Sequence, residues 1–199
     1  MELDNRNQQD QTNPELKALI IYWSATGNTE KVANAIRRSL EREKVRPTLR
    51  KITEAVEEEL YEYDLVFLGS PTHDFLPPKP VQRFVKEKMK HHRERGDVKP
   101  CAPRVPGKTG VVFCTFSGPH TGVREAIPVG KYIGQFLEHL GFEVAGEWYI
   151  VGELHGHGEL LNNTRGKLGD IRGRPDEQDL ATVENNVSEL VRSMRVCSG

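Results

Sequence analysis

Six consecutive residues, Ser24-Ala25-Thr26-Gly27-Asn28-Thr29, carry the strongest chemical signal in the chain. They stand between an apolar run, Ala18 to Trp23, and a stretch of helical spacing, Val32, Ile36 and Leu40. A helix that starts there leaves its first backbone N–H groups unpaired and turns the positive end of its dipole toward the loop, an arrangement that holds a phosphate. Gly27 allows close backbone approach or a positive φ. Ser24, Thr26 and Thr29 add hydroxyl donors, and Asn28 an amide. The loop contains no Lys or Arg, so an anion here rests on neutral donors and the helix dipole. An ordinary strand-to-helix turn with a capping threonine is the competing reading. Two other phosphate motifs are missing. No G-x-G-x-x-G follows a strand and no G-x-x-x-x-G-K-[ST] occurs, which leaves a dinucleotide-binding site and a nucleoside triphosphatase without support.

Other reactive residue types are sparse. His155-Gly156-His157, with Glu153 and Glu159 beside it, has metal-ligating side chains but no standard zinc spacing, and it lies in a glycine-rich loop; no metal site is expected. That loop is read instead as a cover for a ligand or part of a subunit contact. Cys101, Cys114 and Cys197 form no C-x-x-C pair, which argues against a disulfide framework and a cysteine-ligated metal. Cys114 sits in an apolar run and reads as a small core residue. His91-His92, at a basic helix end, read as a solvated pair that complements the helix dipole.

The elements that must position the first loop follow from periodicity. Ala18 to Trp23, Leu65 to Leu68 (ended by Gly69), Gly110 to Phe116 and Val144 to Val151 (interrupted by Glu147) are runs of strand length; Thr48 to Ile52 alternates weakly and reads as an edge strand. Between them lie helical patterns: Val81, Phe84, Val85 and Met89; then Val129, Ile133, Phe136, Leu137 and Leu140, closed by Gly141. A short helix is predicted over Glu54 to Tyr61. Residues 94–107 hold Pro100, Pro103 and Pro106 and cannot be helical throughout. Residues 152–174 form a long loop with no clear period, and loops of that length are often functional. A last helix begins near Pro175 and carries the stripe Leu180, Val183, Val187, Leu190, Val191 and Met194. Five βα units predict an α/β doubly wound sandwich, a five-stranded parallel sheet with helices on both faces. In the strand order 2-1-3-4-5, of which flavodoxin is the type example, ligands sit beyond the carboxyl ends of the strands where the order reverses. The loops that begin at Ser24, Ser70 and Ser117 then face one another.

The 199 residues suit one such domain, expected over 15–195, behind a polar, disordered leader over 1–14. A formal charge of −1, from 28 basic and 29 acidic residues, gives no electrostatic argument for nucleic acid. No apolar run approaches the length that inserts into a membrane, and Met1 to Asn13 lacks the apolar centre of a signal peptide, so a cytoplasmic protein is expected.

Ser24-Ala25-Thr26-Gly27-Asn28-Thr29 resembles the [ST]-x-T-G-N-T phosphate loop of flavodoxins, and Gly69-Ser70-Pro71-Thr72-His73 is similar to the G-[ST]-P-T segment of flavodoxin-like reductases. The resemblance extends over the βα pattern, roughly residues 17–195, and implies non-covalent FMN. It places Pro71, Thr72, His73, Asp74 and Phe75 against the isoalloxazine ring, with His73 or Phe75 packed on its face and Pro77, Pro78 and Pro80 stiffening the loop. A solvated His73 and a core-covering Phe75 are the alternative. Thr115, Phe116, Ser117, Gly118 and His120 would meet the polar edge of the ring. Flavodoxins often stack a Tyr in this region; this sequence has none there, so Phe116 or His120 stands in for it. The function implied is electron transfer with a redox partner protein. A flavin-dependent NAD(P)H:quinone or FMN oxidoreductase is the alternative, and a non-catalytic FMN-binding or regulatory module is a third reading. Carriers of this family are usually strongly acidic; the near-neutral charge and the added 152–174 segment shift weight toward an enzyme or a specialised carrier.

Overall fold

The computed structural model describes residues 16–156 and 158–197; the leader expected over 1–14 and His157 lie outside them. Five parallel strands, β1 (Lys17–Tyr22), β2 (Arg46–Lys51), β3 (Leu65–Pro71), β4 (Thr109–Phe116) and β5 (Glu143–Val151), form one sheet of order β2-β1-β3-β4-β5. The helices are α1 (Asn28–Arg42), α2 (Lys79–Glu94), α3 (Ile127–His139), α4 (Glu159–Arg165) and α5 (Glu177–Cys197).

Alternation along the central strands divides the core in two. Leu19, Ile21, Val66, Leu68, Val112 and Cys114 meet Val81 and Phe84 of α2 and Ile133 and Leu137 of α3 on one face. Ala18, Ile20, Phe67, Val111 and Phe113 meet Val32 and Ile36 of α1 and Val183, Val187 and Val191 of α5 on the other. Period-2 burial on both faces explains why these strands read as continuous apolar runs. β2 pairs on one side only and is half-exposed, as its weak alternation foretold.

Register fixes the height of the loops. Tyr22 lies beside Gly69, Gly69 beside Phe113, and Pro71 beside Thr115, so the chain leaves β1, β3 and β4 at one end of the sheet. Gly69 is required by a neighbour: a Cβ there would stand 2.1 Å from the Phe113 ring. Gly141, just past α3, has φ +79, a left-handed turn that ends the helix.

Several elements differ from expectation. Residues 54–61 form turns with a single 3-10 turn at Leu60–Glu62 rather than a short helix. There the Glu58 carbonyl accepts from the buried Lys88 ammonium (2.6 Å) and Glu59 caps the Tyr61 N–H (3.3 Å), so side chains take the groups a helix would pair. The long loop contains α4, which hid from periodicity because it buries Asn163 and leaves Leu160 and Leu161 exposed. His92 is not solvated. It is buried, hydrogen-bonded through Nδ1 to Asp97 (2.9 Å), and in edge contact with Tyr61, while His91 is exposed. β5 runs unbroken through Glu147, whose carboxylate accepts from Lys131 (3.0 Å) and the Tyr149 hydroxyl (2.7 Å).

Candidate functional site

The loop after β1 turns into α1 through Gly27, at φ +99, with no Cβ contact within 4 Å; the dihedral, not crowding, calls for glycine. Ser24 Oγ accepts the Gly27 N–H (3.1 Å) and Gly27 O accepts the Lys31 N–H (2.9 Å). No side chain caps α1. Among the described residues, the N–H groups of Ala25, Thr26, Asn28 and Thr29 find no protein acceptor. Ala25 and Thr26 are exposed, so the loop offers uncommitted donors and a helix dipole to a cleft open to solvent.

The remaining loop side chains are shared out. Thr29 Oγ1 and Thr115 Oγ1 lie 2.8 Å apart and are buried, which ties the start of α1 to the end of β4. Whichever hydroxyl donates, the other keeps a proton to give to the cleft that both line. Asn28 Nδ2 donates to the Glu153 carbonyl (2.8 Å), but Asn28 Oδ1 is buried without a donor. Thr72 Oγ1 is likewise buried and unpartnered, although the Thr72 N–H donates to Thr115 O (2.9 Å). Two orphaned polar atoms in one cleft are what a polar ligand would satisfy.

After β3 the chain makes a tight two-residue hairpin. His73 and Leu76 exchange both backbone hydrogen bonds (3.0 and 2.9 Å), with Asp74 at φ +46 and Phe75 at φ +67, as in a type I′ turn. Phe75 and Leu76 are left 55% and 52% exposed, so Phe75 does not cover the core. His73 is exposed, its ring edge-on to Trp23 with centroids 5.7 Å apart. Pro71 and Thr72 line the cleft beside the 24–29 loop, while Asp74 and Phe75 line only the adjoining groove.

After β4, Phe116 is buried and borders both spaces with Ser117. Gly118, at φ +52, packs against the Gly122 backbone. His120 is exposed in the groove. The N–H groups of His120 and Thr121 donate to the Glu125 carboxylate (2.9 and 2.6 Å), so they are spent within the loop. Cys114, two strand residues earlier, is fully buried: burial pushes its thiol up, with Glu147 adding to the shift.

The 152–174 segment, read from sequence as a cover for a ligand or part of a subunit contact, supplies one wall through residues that the sequence did not single out for it. Gly152, Glu153, Leu154 and His155, following β5, line the cleft beside the 24–29 loop, and Leu154 also borders the groove. Asn163 clamps this segment: its side-chain amide accepts the Leu154 N–H and donates to the Leu154 carbonyl, both at 2.8 Å. Gly152 is tight against Asn28, since a Cβ there would lie 2.8 Å from Nδ2. Glu125, which borders the groove, was missed too.

The cleft and the groove share Thr72, His73, Phe116, Ser117 and Leu154 and form one continuous depression at the carboxyl end of the sheet. One end is rich in uncommitted donors; the other is bordered by Phe75, Phe116 and two histidines.

Comparison with known proteins agrees with this arrangement. The sequence profile described as flavodoxin matches residues 20–183. An NAD(P)H dehydrogenase (quinone) of Archaeoglobus fulgidus is 28% identical, over 70% of this chain and 83% of that protein. A flavodoxin from Streptococcus pneumoniae superposes with a TM-score of 0.62 at 17% identity, over 89% of this chain and 99% of its own. A flavodoxin, WrbA-like protein from Agrobacterium tumefaciens gives 0.60 at 15% identity, over 91% and 98%. At these identities the solved structures speak for the fold.

Proposed function

The chain belongs to the flavodoxin family, and from that premise we propose that it binds FMN non-covalently in the depression at the carboxyl end of the sheet and serves in electron transfer. The observation that carries this reading is the uncapped start of α1, with free N–H groups on Ala25, Thr26, Asn28 and Thr29 beside the buried, unpartnered Thr72 hydroxyl. Bound FMN would supply the redox chemistry, taking up and releasing electrons singly or in pairs.

The residues divide the work. The loop N–H groups, the Thr26 hydroxyl and the spare proton of the Thr29–Thr115 pair hold the phosphate. Thr72, at the junction of cleft and groove, meets the polar chain that joins phosphate to ring. Pro71, His73 to Phe75, and Phe116 to His120 border the ring; Phe116 and Leu154 keep water from its inner side. Exposed Phe75 and Leu76 give the open edge an apolar rim where a redox partner protein can approach.

A second reading, an NAD(P)H:quinone oxidoreductase, is favoured by the Archaeoglobus relative, an NAD(P)H dehydrogenase (quinone). Such an enzyme needs room for a second planar molecule on the ring.

Titration of the apo-protein with FMN and with riboflavin tests the first claim. FMN should bind at least tenfold more tightly, because only FMN carries the phosphate; equal affinities, or none, would refute the phosphate assignment. Anaerobic mixing of the loaded protein with NADH or NADPH separates the two activities. Rapid bleaching supports the reductase; bleaching only by dithionite or a partner reductase supports the carrier.

A further inference from the structure

We propose that Glu153, His155 and Glu159 bind a divalent transition-metal cation at the rim of the cofactor cleft, where it neutralises the phosphate end of the ligand. One ligating atom from each side chain lies within 4.8 Å of the other two. Around a metal with bonds of about 2.0–2.2 Å, neighbouring ligand atoms lie roughly 3–3.5 Å apart, so side-chain rotation closes the difference. Sequence spacing gave no hint of this, because the Gly156 turn and the start of α4 bring Glu159 back toward Glu153.

The ligands are held from behind. Glu153 Oε2 accepts the Gly173 N–H (2.7 Å) and Glu159 Oε2 the Gly156 N–H (3.2 Å), which leaves the second oxygen of each carboxylate uncommitted. The segment itself is fixed by the Asn163 clamp on Leu154 and by the Asn28 bond to Glu153 O.

A second observation points to a cation independently. Asn28 is 8% exposed, lines the same cleft as Glu153 and His155, and presents an unpartnered Oδ1. A phosphate dianion has no proton to give it. The cleft thus has a donor wall, the loop at 24–29, and an acceptor wall, Asn28 Oδ1 with the Glu153 carboxylate, behind which Glu159 stands. Among the described residues no Lys or Arg lines it, and Arg172, within electrostatic reach of Glu153, is paired with Asp170 at 2.9 Å. A carboxylate beside a phosphate repels it unless a cation stands between them. One imidazole with two carboxylates suits Mn2+, Fe2+ or Zn2+ better than Mg2+, which prefers an all-oxygen shell.

The cation site stands on its own ligands; only its coupling to phosphate rests on the FMN reading. Metal-free apo-protein is titrated with Mn2+, and free Mn2+ is followed by paramagnetic resonance. One Mn2+ per chain is expected, with binding weakened at least tenfold by His155→Ala and by Glu159→Gln. FMN should bind several-fold more tightly with saturating Mn2+ than with chelator, and by reciprocity Mn2+ more tightly with FMN; riboflavin should show no such coupling. Absence of stoichiometric Mn2+ uptake, or uptake unchanged in both variants, would overturn the site. FMN affinity indifferent to Mn2+ would overturn the coupling. Mn2+ uptake by a protein that binds no FMN would confirm the site and refute the cofactor reading, and the converse result would do the opposite.

Discussion

Thr29→Val and Thr115→Val, made singly and together, separate what this hydroxyl pair does for the fold from what it does for the ligand. The two oxygens are 2.8 Å apart, in side chains 1% and 3% exposed. Either single change keeps the shape of the site but leaves one buried hydroxyl with no partner, at a cost of about 1–3 kcal/mol. In a chain of this size that lowers the melting temperature by roughly 2–4 °C per kcal/mol. The double variant removes donor and acceptor together and puts methyl groups in their place, so its cost falls well short of the sum, with a coupling of about 1–3 kcal/mol. Ligand binding goes the other way. The wild-type pair keeps one proton for the phosphate, and the double variant has none. Loss of that charge-assisted bond costs about 1.5–3 kcal/mol, roughly 10- to 150-fold in FMN affinity.

Urea unfolding of the four apo-proteins gives the cycle, and fluorescence titration with FMN gives the affinities. Strictly additive stabilities would mean that the hydroxyls do not pair. A stable double variant with wild-type FMN affinity would mean that the phosphate lies elsewhere.

Gly69→Ala drives a methyl group to 2.1 Å from the Phe113 ring and should destabilise the protein by at least about 3 kcal/mol; adding Phe113→Leu should recover part of this, and full tolerance of the alanine would contradict the packing. All five tyrosines have hydroxyls raised above the ordinary value of 10, chiefly by burial, Tyr61 to about 12. A raised acid keeps its proton in the fold, so this stability is complete below about pH 10 and is lost as pH climbs through the folded values. Phenolate absorbance should therefore rise with unfolding, and a tyrosine ionising near pH 10 in intact protein would contradict it. Asn163→Ala frees both backbone groups of Leu154; proteolysis within 152–174 should quicken and FMN affinity fall, whereas wild-type resistance would show that the clamp is idle. Changing Asp74-Phe75 to Asn-Gly relieves two left-handed residues and should raise stability by about 1–2 kcal/mol, while slowing electron exchange with a protein partner; unchanged exchange would remove the hairpin from the docking surface.

The legible parts of the molecule were those written locally. The five strands and the two-faced helix layers follow from apolar runs and stripes such as Val183, Val187 and Val191, the strand order came from the known order of such folds, and the 24–29 loop is six contiguous residues. What stayed hidden is polar and long-range. Asn28 meets Glu153 across 125 residues and Thr29 meets Thr115 across 86, and no periodicity encodes such bonds. α4 was invisible because the residue it buries is an asparagine. His92 read as solvated because its partners, Asp97 and Tyr61, come from other turns of the chain. Apolar burial leaves a pattern in sequence; a buried hydrogen bond needs only one partner at one distance, wherever the chain supplies it.

The hairpin after β3 shows how the two ends of the depression differ in kind. A type I′ turn is most easily made by Asn-Gly, because both central residues take positive φ. This chain places Asp74 and Phe75 there, at +46 and +67. Aspartate tolerates that region, but for phenylalanine it is a true outlier, costing about 1–2 kcal/mol. Burial does not offset that cost, since Phe75 is 55% exposed. What the conformation achieves is placement: an aromatic ring and Leu76 are held outward at the mouth of the groove, level with the end of β3. The other end is built differently: the start of α1 leaves four N–H groups uncommitted, and Asn28 Oδ1 and Thr72 Oγ1 are buried without partners. Uncommitted polar groups and a strained, exposed aromatic thus lie at opposite ends of one depression, which is the division that the proposed cofactor and redox partner would need.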